Sequence, residues 1–474
     1  MKSVAIVGGG VTGLTAAFRL QESGVPVTLY EASRRAGGVI QSIRRDGYLA
    51  ECGPNSLLET SPKIGALVKD LGLEKRRIYS DPAAKNRYLV RGGRLHALPG
   101  SLPGFIRTPL FRAAAKFRLL AEPFIPPAPR DREESVAEFV LRRLGRDFLD
   151  YAINPMVGGV YAGDPAKLSV KHAFPKLNTV EQQYRSLILG QVLGARARKR
   201  RNEVSKQSAK IMSFDTGLQA LTDALLAQIG SSARLGAAVT GVRQVADGWQ
   251  VEYRMDGETR SAEHSAVLFA GTAHQLAKLR VVAADAPDMG SLANIYYPPV
   301  ASVVLGFRRE DVAHPLDGFG VLVPEVEKLN ILGSLFSSSL FPNRAPAGHV
   351  TLTSYLGGAR NPKLAEGDSE SLVELVMGDL RKLLGVSGQP VFRHCFSYPK
   401  AIPQYQVGYG AFKDLMSRLE SKCPGLFLAG NYRDGISLGD SIVSGHTAAE
   451  RLAAHLAPGK NQAGAPEPAI PQHA

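Results

Sequence analysis

The chain is 474 residues long, too long for one ordinary hydrophobic core, so two or three domains are expected. Hydrophobic residues make up 44% and charged residues 21%, the balance of a soluble globular protein, and no apolar run reaches the length that spans a bilayer. The cysteines, Cys52, Cys395 and Cys423, are scattered without CxxC spacing, which argues against a disulfide framework or a zinc site and fits a reducing compartment. The net charge of +14 calls for an anionic partner or a solvated basic face. Much of the excess lies in Arg196, Arg198, Lys199, Arg200 and Arg201, a run without interleaved aromatics that reads as a basic loop, so no nucleic-acid partner is expected.

In chain order, Val4 to Val7 reads as a buried strand rather than a signal peptide, because the apolar run breaks at Gly8-Gly9-Gly10 with no small-residue cleavage site. Leu14 to Ser23 has helical periodicity, Val25 to Tyr30 is a second strand ending at Glu31, and Lys63 to Leu71 is helical. Between Ser101 and Pro129, apolar residues (Leu102, Phe105, Ile106, Leu110, Phe111, Phe117, Leu119, Leu120, Phe124) alternate with Arg107, Arg112, Lys116 and Arg118. That mixture suits either a membrane-surface element or a core-facing helix pair. Glu133 to Leu189 reads as largely helical with Ser135 as an N-cap. From Leu235 the period drops to two: Val239 to Val242, Trp249 to Arg254 and Ala266 to Phe269 are strands, with turns at Asp247-Gly248 and Asp256-Gly257. Val300 to Phe307, Gly318 to Val323 and Val350 to Leu356 predict a second sheet. Leu426 to Gly430 is a buried strand before a Gly-rich turn and a helix from Ser441 to Leu456, and the tail from Ala457 has a disordered composition.

Gly8-Gly9-Gly10-Val11-Thr12-Gly13 follows a strand and opens a helix, the context that gives GxGxxG its meaning. Gly8 permits the tight turn, Gly10 lets backbone approach a pyrophosphate, and Gly13 lets helix and strand pack closely. Glu31 stands where a carboxylate accepts from ribose hydroxyls and would repel a phosphorylated ribose. The next residues choose between NAD and FAD. Glu31-Ala32-x-x-Arg35-x-Gly37-Gly38 resembles the extended motif of the FAD superfamily of amine oxidases and phytoene desaturases, with Arg35 able to reach phosphates and Gly38 beside the flavin end. A distant second element, Gly430-Asn431 and Gly435-Ile436-Ser437-Leu438-Gly439, suits backbone N–H groups near a flavin ring, so FAD is the expected cofactor.

Over almost its whole length the chain further resembles the oxygen-dependent protoporphyrinogen IX oxidases. The resemblance is carried by Gly53-Pro54-Asn55-Ser56, Asn86 to Val90, Leu95 to Pro99, Arg132 to Val136, Gly158 to Pro165 and Leu335 to Pro342. It implies an α/β plus α+β architecture: a Rossmann-like FAD domain of residues 1–80, 205–290 and 420–458, a mixed-sheet substrate domain of 81–100 and 291–419, a helical membrane-facing domain of 101–204, and a tail at 459–474. It implies the six-electron oxidation of a porphyrinogen by O2, with H2O2 as co-product. Flavin N5 would take hydride from one meso carbon while imine–enamine tautomerisation redistributes the remaining hydrogens. By the same resemblance Arg87 binds a propionate, Gly159 leaves room for a pyrrole ring, Leu322 and Leu305 form apolar walls, and Phe341 stacks on the macrocycle. Gly53, Pro54, Asn55, Ser56 and Val239 join the cofactor set. No Ser-His-Asp or metal-ligand spacing appears among the ten histidines, so no catalytic side chain and no metal is assigned.

Two other activities remain open: a coproporphyrinogen III oxidase, acting on a macrocycle with four propionates, and an amine oxidase. The second is disfavoured because Cys423 precedes the last FAD element and Asn431 to Gly439 holds no cysteine that could tether a flavin. The expected setting is a bacterial cytoplasm, with peripheral attachment to the membrane and product hand-off to a chelatase; a homodimer is left open.

Overall fold

The structure, a computed structural model, describes residues 2–129, 132–190, 193 and 209–457; the basic run Arg196–Arg201 and the tail from 459 lie outside the described residues. Among the described residues, five parallel strands form one sheet in the order Ala233–Leu235, Val27–Glu31, Val4–Val7, Ala266–Phe269, Leu426–Leu428. The Val-Ala-Ile-Val and Ala-Val-Leu-Phe strands at its centre are buried throughout, as continuous apolar runs must be when helices cover both faces. Helix Val11–Glu22 makes the crossover between the first two strands, and helix Leu438–Leu456 lies along it. The first helix starts three residues before the expected Leu14, because Gly10 takes the extended N-cap conformation.

A second, seven-stranded sheet has the order Phe392–Tyr398, Val300–Arg308, His349–Gly357, Ile331–Leu335, Gly318–Leu322, Asn86–Arg91, Arg94–Ala97. Its neighbours pair antiparallel except Gly318–Leu322 with Asn86–Arg91. Helix Ser369–Leu384 covers one face, packing Leu372, Val376 and Leu380 against Ala301, Val303, Leu305 and Phe307. The opposite face touches the loops of the parallel sheet. The hairpin Gly248–Met255 to Glu258–His264 turns at Asp256-Gly257, both at positive φ, as the Asp-Gly pair predicts. Sequence reading did not place the strands Ile331–Leu335 and Phe392–Tyr398 or the helix Ser369–Leu384.

Between the sheets' segments lies a helical region. Helix Val136–Arg143 begins with a complete capping box from Ser135 and Glu138. A π-helical stretch at Leu149–Ile153 then leads into helix Asn154–Tyr161, so the region expected as largely helical is broken into short pieces. Buried charge holds them together. Arg143, fully buried, donates to Glu122 at 3.1 Å and to Glu181 at 2.5 Å, and Glu122 also accepts from the backbone N–H of Leu187 at 2.9 Å. Phe105, Phe111 and Phe148 stack on the inner side, with Phe111 and Phe148 centroids 4.4 Å apart. Among the described residues, no helix is long and apolar enough to cross a membrane.

Because both partners are dry, Arg143→Met leaves Glu122 without its cation and is expected to cost about 3–5 kcal/mol. Urea denaturation followed by tryptophan fluorescence and circular dichroism measures this, and pairing the change with Glu122→Gln is expected to restore part of the loss.

Candidate active site

The Val4–Val7 strand ends at Gly8, whose φ of +113° favours glycine and whose N–H donates to Tyr30 O at 2.8 Å. A Cβ on Gly13 would stand 2.0 Å from Gly8 O, so Gly13 is fixed by the packing of helix on turn. Gly10 differs: a Cβ there would meet no protein atom within 4 Å. It caps helix Val11–Glu22 without a side-chain hydrogen bond, and the first turn, Val11, Thr12 and Gly13, carries no acid. The space is therefore bounded by first-turn N–H groups and the positive helix end, a cradle for phosphate. Glu31 is held rigidly at its edge, accepting from Gly9 N–H at 2.7 Å and Ser33 N–H at 2.8 Å. Ala32 follows it, and Ala237 N–H donates to Glu31 O at 2.8 Å, bringing the Val239 strand alongside.

Arg35 does not extend toward this cradle. Its guanidinium folds back on its own loop, donating to Ala36 O at 3.0 Å, to Ile40 O at 2.9 Å and to Gly38 O. It shapes the segment whose Gly37 N–H donates to Gly9 O at 2.7 Å, and which places Gly38 beside Gly10. Gly53 is pressed against this segment, since a Cβ on it would lie 2.2 Å from Val39 O. Beyond Gly53-Pro54, Asn55 hydrogen-bonds Tyr355 of the mixed sheet, and Tyr398 OH donates to Val39 O at 3.3 Å; Ser56 ends the loop. The C-terminal element closes the other side. Gly430 N–H donates to Ser444 Oγ at 2.9 Å, and Ser437, after Ile436, caps the Leu438–Leu456 helix in a capping box with Asp440. Thr12 Oγ1 donates to Ser441 O at 3.0 Å, and a Cβ on Gly445 would lie 2.3 Å from Thr12 O, so the two helix starts are pinned side by side.

Strand register builds the facing wall. Leu89, Leu322, Gly333, Tyr355, Ser302 and Phe396 are successive cross-strand partners and share one face of the mixed sheet. Leu322 to Tyr355 spans two strand spacings, about 10 Å, with glycine between them. Gly159 of helix Asn154–Tyr161 closes over this row: a Cβ there would lie 2.3 Å from Leu322 Cδ2. Arg87, two residues before Leu89 and so on the same face, is exposed, sits 5.7 Å over the Phe319 ring and enters no salt bridge among the described residues. Phe319 also packs against Phe341, which is buried with Ala84 and Leu340. The Arg344 guanidinium lies 5.2 Å over Phe341 and 3.6 Å from Glu51, a buried carboxylate that also accepts from Ser42 Oγ and Leu218 N–H. Leu305 does not join them. Three residues beyond Ser302 it points to the opposite face, where it is fully buried beneath helix Ser369–Leu384. Phe319 and Tyr355 were missed by sequence reading; an aromatic between glycines, Gly318-Phe319-Gly320, was the one visible signal for the first.

Burial governs the titratable groups around the Gly53 loop. Burial pushes the Tyr355 and Tyr398 phenols up, and lifts the Cys52 thiol to about 11 with help from Glu51. Burial, with Arg45, pushes His394 below its usual range; it lies 3.5 Å from Cys52 Sγ. Such an arrangement can orient an apolar reductant beside a bound dinucleotide.

A family model for flavin containing amine oxidoreductases matches residues 11–453. Protoporphyrinogen oxidase 2 of Arabidopsis thaliana is 35% identical, with 96% of this chain and 94% of that protein covered. Coproporphyrinogen III oxidase of Bacillus subtilis (strain 168) is 31% identical, covering 96% and 98%. Among solved structures, a protein from Exiguobacterium sp. 255-15 superposes with a TM-score of 0.79 at 24% identity, covering 96% of this chain and 99% of that one. Reduced UDP-galactopyranose mutase gives 0.73 at 16%, covering 96% of each, a likeness of fold alone.

The contrast between two glycines is testable. Gly10→Ala is expected to yield folded protein with little bound flavin, whereas Gly13→Ala is expected to lose folded protein itself. Flavin absorbance per chain and thermal melting of the purified variants separate the two outcomes.

Proposed function

The chain belongs to the flavin-containing amine oxidoreductase family, and we propose that it oxidises protoporphyrinogen IX to protoporphyrin IX with O2 as acceptor. It is an FAD-dependent oxidoreductase. The observation that carries the substrate reading is the apolar row Leu322–Gly333–Tyr355, met by Gly159 at Leu322 and flanked by Arg87, which enters no salt bridge among the described residues. It suits a flat apolar macrocycle bearing carboxylates at its rim.

Bound FAD supplies the hydride acceptor and returns its electrons to O2, giving H2O2. The chain's own residues bind and orient. The first-turn N–H groups from Val11 to Gly13 and the Glu31 carboxylate would hold pyrophosphate and ribose, and Val239, on the strand beside Glu31, would join the cofactor's binding set. Gly38, the Gly53-Pro54-Asn55-Ser56 loop and the Gly430 and Ile436-Ser437-Leu438 backbone frame the ring end. Arg87 would grip a propionate through its planar fork, and Leu322, backed by Gly159 packed against it, would form an apolar wall for the macrocycle. Phe341 acts from behind, supporting Phe319. On this reading tautomerisation of the macrocycle proceeds without a side-chain base.

The relatives include a coproporphyrinogen III oxidase, so the four-propionate substrate is the second reading. Aerobic assay of the purified protein on both porphyrinogens, read by porphyrin fluorescence, decides: no fluorescence from either sinks the oxidase reading. Arg87→Ala is expected to raise KM about tenfold or more with kcat little changed.

The helical region supports peripheral attachment to a membrane. Leu102, Ile106, Phe117, Leu120 and Phe124 are between 64% and 86% exposed, next to Arg107 and Arg118 at the same surface, while Phe105, Leu110 and Phe111 turn inward. On this reading the protein works on the cytoplasmic face of a bacterial membrane and releases a sparingly soluble porphyrin there, toward a chelatase. Replacing Phe117, Leu120 and Phe124 together by serine is expected to abolish co-flotation with anionic vesicles; wild-type protein that stays at the bottom of the gradient refutes the attachment.

A further inference from the structure

The chain passes from strand Leu426–Leu428 to helix Leu438–Leu456 through the loop 429–437. The middle of this loop is held by its own bonds. Arg433 N–H and Asp434 N–H both donate to Gly430 O at 3.1 Å, and the Arg433 guanidinium pairs with Glu420 at 2.8 Å. The flanks are held from outside. Gly435 N–H donates to the Tyr405 hydroxyl at 3.0 Å, and the same hydroxyl donates to Asn431 O. One phenol thus spends its donor and an acceptor site on the two ends of the turn. Gly435 stands at φ +124°, and a Cβ on it would lie 2.7 Å from Asp440 Oδ2, so the loop enters the helix with little room to spare.

Tyr405 is itself placed from its own side. It is buried, its ring lies 4.5 Å from that of Tyr409, and its carbonyl accepts from Ser169 N–H at 2.8 Å. Gln404 before it is also buried and donates to Tyr161 O at 2.8 Å. Burial pushes the Tyr405 phenol far above its usual range, with Tyr409 and Asp434 adding to the shift, so the hydroxyl keeps the proton that it donates. Beyond Gly435 the picture changes. Ser437 N–H is taken by Asp440 at 3.3 Å, whereas the N–H groups of Ile436, Leu438 and Gly439 donate to no protein group among the described residues. These donors stand at and just before the start of a long helix, where the backbone leaves its N–H groups for another partner.

We propose that Tyr405 is a positioning residue for the flavin ring: by tying Asn431 O to Gly435 N–H it holds the loop so that the free N–H groups of Ile436, Leu438 and Gly439 keep one aim. The inference rests on the reading that the ring of FAD lies against the Ile436–Leu438 backbone. Tyr405 does not touch the cofactor in this role; it acts through the loop. Without the hydroxyl, Gly435 N–H and Asn431 O lose their partner, and the turn relieves this by rotating, which moves the donors that follow it.

Purified, FAD-loaded protein provides the readouts. Tyr405→Phe is expected to raise the FAD dissociation constant about tenfold or more, followed by the fluorescence of released flavin, and to shift the flavin absorbance bands. Tyr409→Phe is the control, because its hydroxyl donates to Tyr432 O at 2.5 Å, on the same loop but away from its flanks. It is expected to leave both readouts unchanged. An unchanged constant and spectrum in folded Tyr405→Phe overturns the proposal. Equal effects from the two variants overturn it too, since they show only that the loop has loosened. Leu438→Pro separates this inference from the reading beneath it: Leu438 is the first helical residue, where proline is tolerated and removes one of the free N–H groups. If Leu438→Pro moves the readouts and Tyr405→Phe does not, the positioning alone fails; if neither moves them, the placement of the ring fails. Should Tyr405→Phe fail to accumulate, amide hydrogen exchange on the wild type carries the test. Gly435 N–H is expected to be protected, and exchange at the rate of an open loop amide overturns the proposal.

Discussion

Two helices start next to one another, and much of the molecule follows from keeping them there. Thr12 donates to Ser441 O, and Gly445 lets the Leu438–Leu456 helix approach Thr12 backbone directly. The first helix start is left without a side-chain cap, so its N–H groups need an anion from elsewhere. The parallel sheet holds this geometry: its strands deliver Gly8, Glu31 and Gly430 to one edge from segments scattered along the chain. A dinucleotide completes the electrostatics that the backbone leaves open.

The parts of this arrangement that depend on backbone were legible in the amino-acid sequence. Gly8 and Gly13 are required by a turn and a close approach that no other residue tolerates, and such requirements write themselves at fixed spacing. Side-chain destinations were less visible. Arg35 stands at the expected position, yet three carbonyls of its own loop claim its guanidinium. Leu305 and Leu322 looked alike as apolar strand residues, but strand parity sends one beneath a helix and the other to the opposite face. Contacts such as Asn55 with Tyr355, or Arg360 with Asn154, join positions hundreds of residues apart, and no local pattern announces them.

The mixed sheet and the helical region divide the work on the substrate side. Register supplies a flat apolar floor with Gly333 at its middle, and the helix Asn154–Tyr161 supplies a roof. Charge is placed at the edges: Arg87 at the rim, and the buried Glu51–Arg344 pair behind Phe341. The apolar row from Leu322 to Tyr355 itself carries no charged side chain.

The edge strand Leu426–Leu428 comes near the end of the chain, while its sheet begins at Val4. During synthesis the first βαβ unit must therefore wait for the strands that flank it and for the helix that packs on it. At about 5–20 residues per second, that wait is on the order of 20–80 s. For roughly the first half of it, until Ala266–Phe269 is made, an apolar strand edge at Val4–Val7 stands open on the nascent chain. A fold that brings distant segments to one ligand thus carries a long unprotected interval at birth, and early cofactor capture cannot shorten it, because the Leu438 helix start is made last.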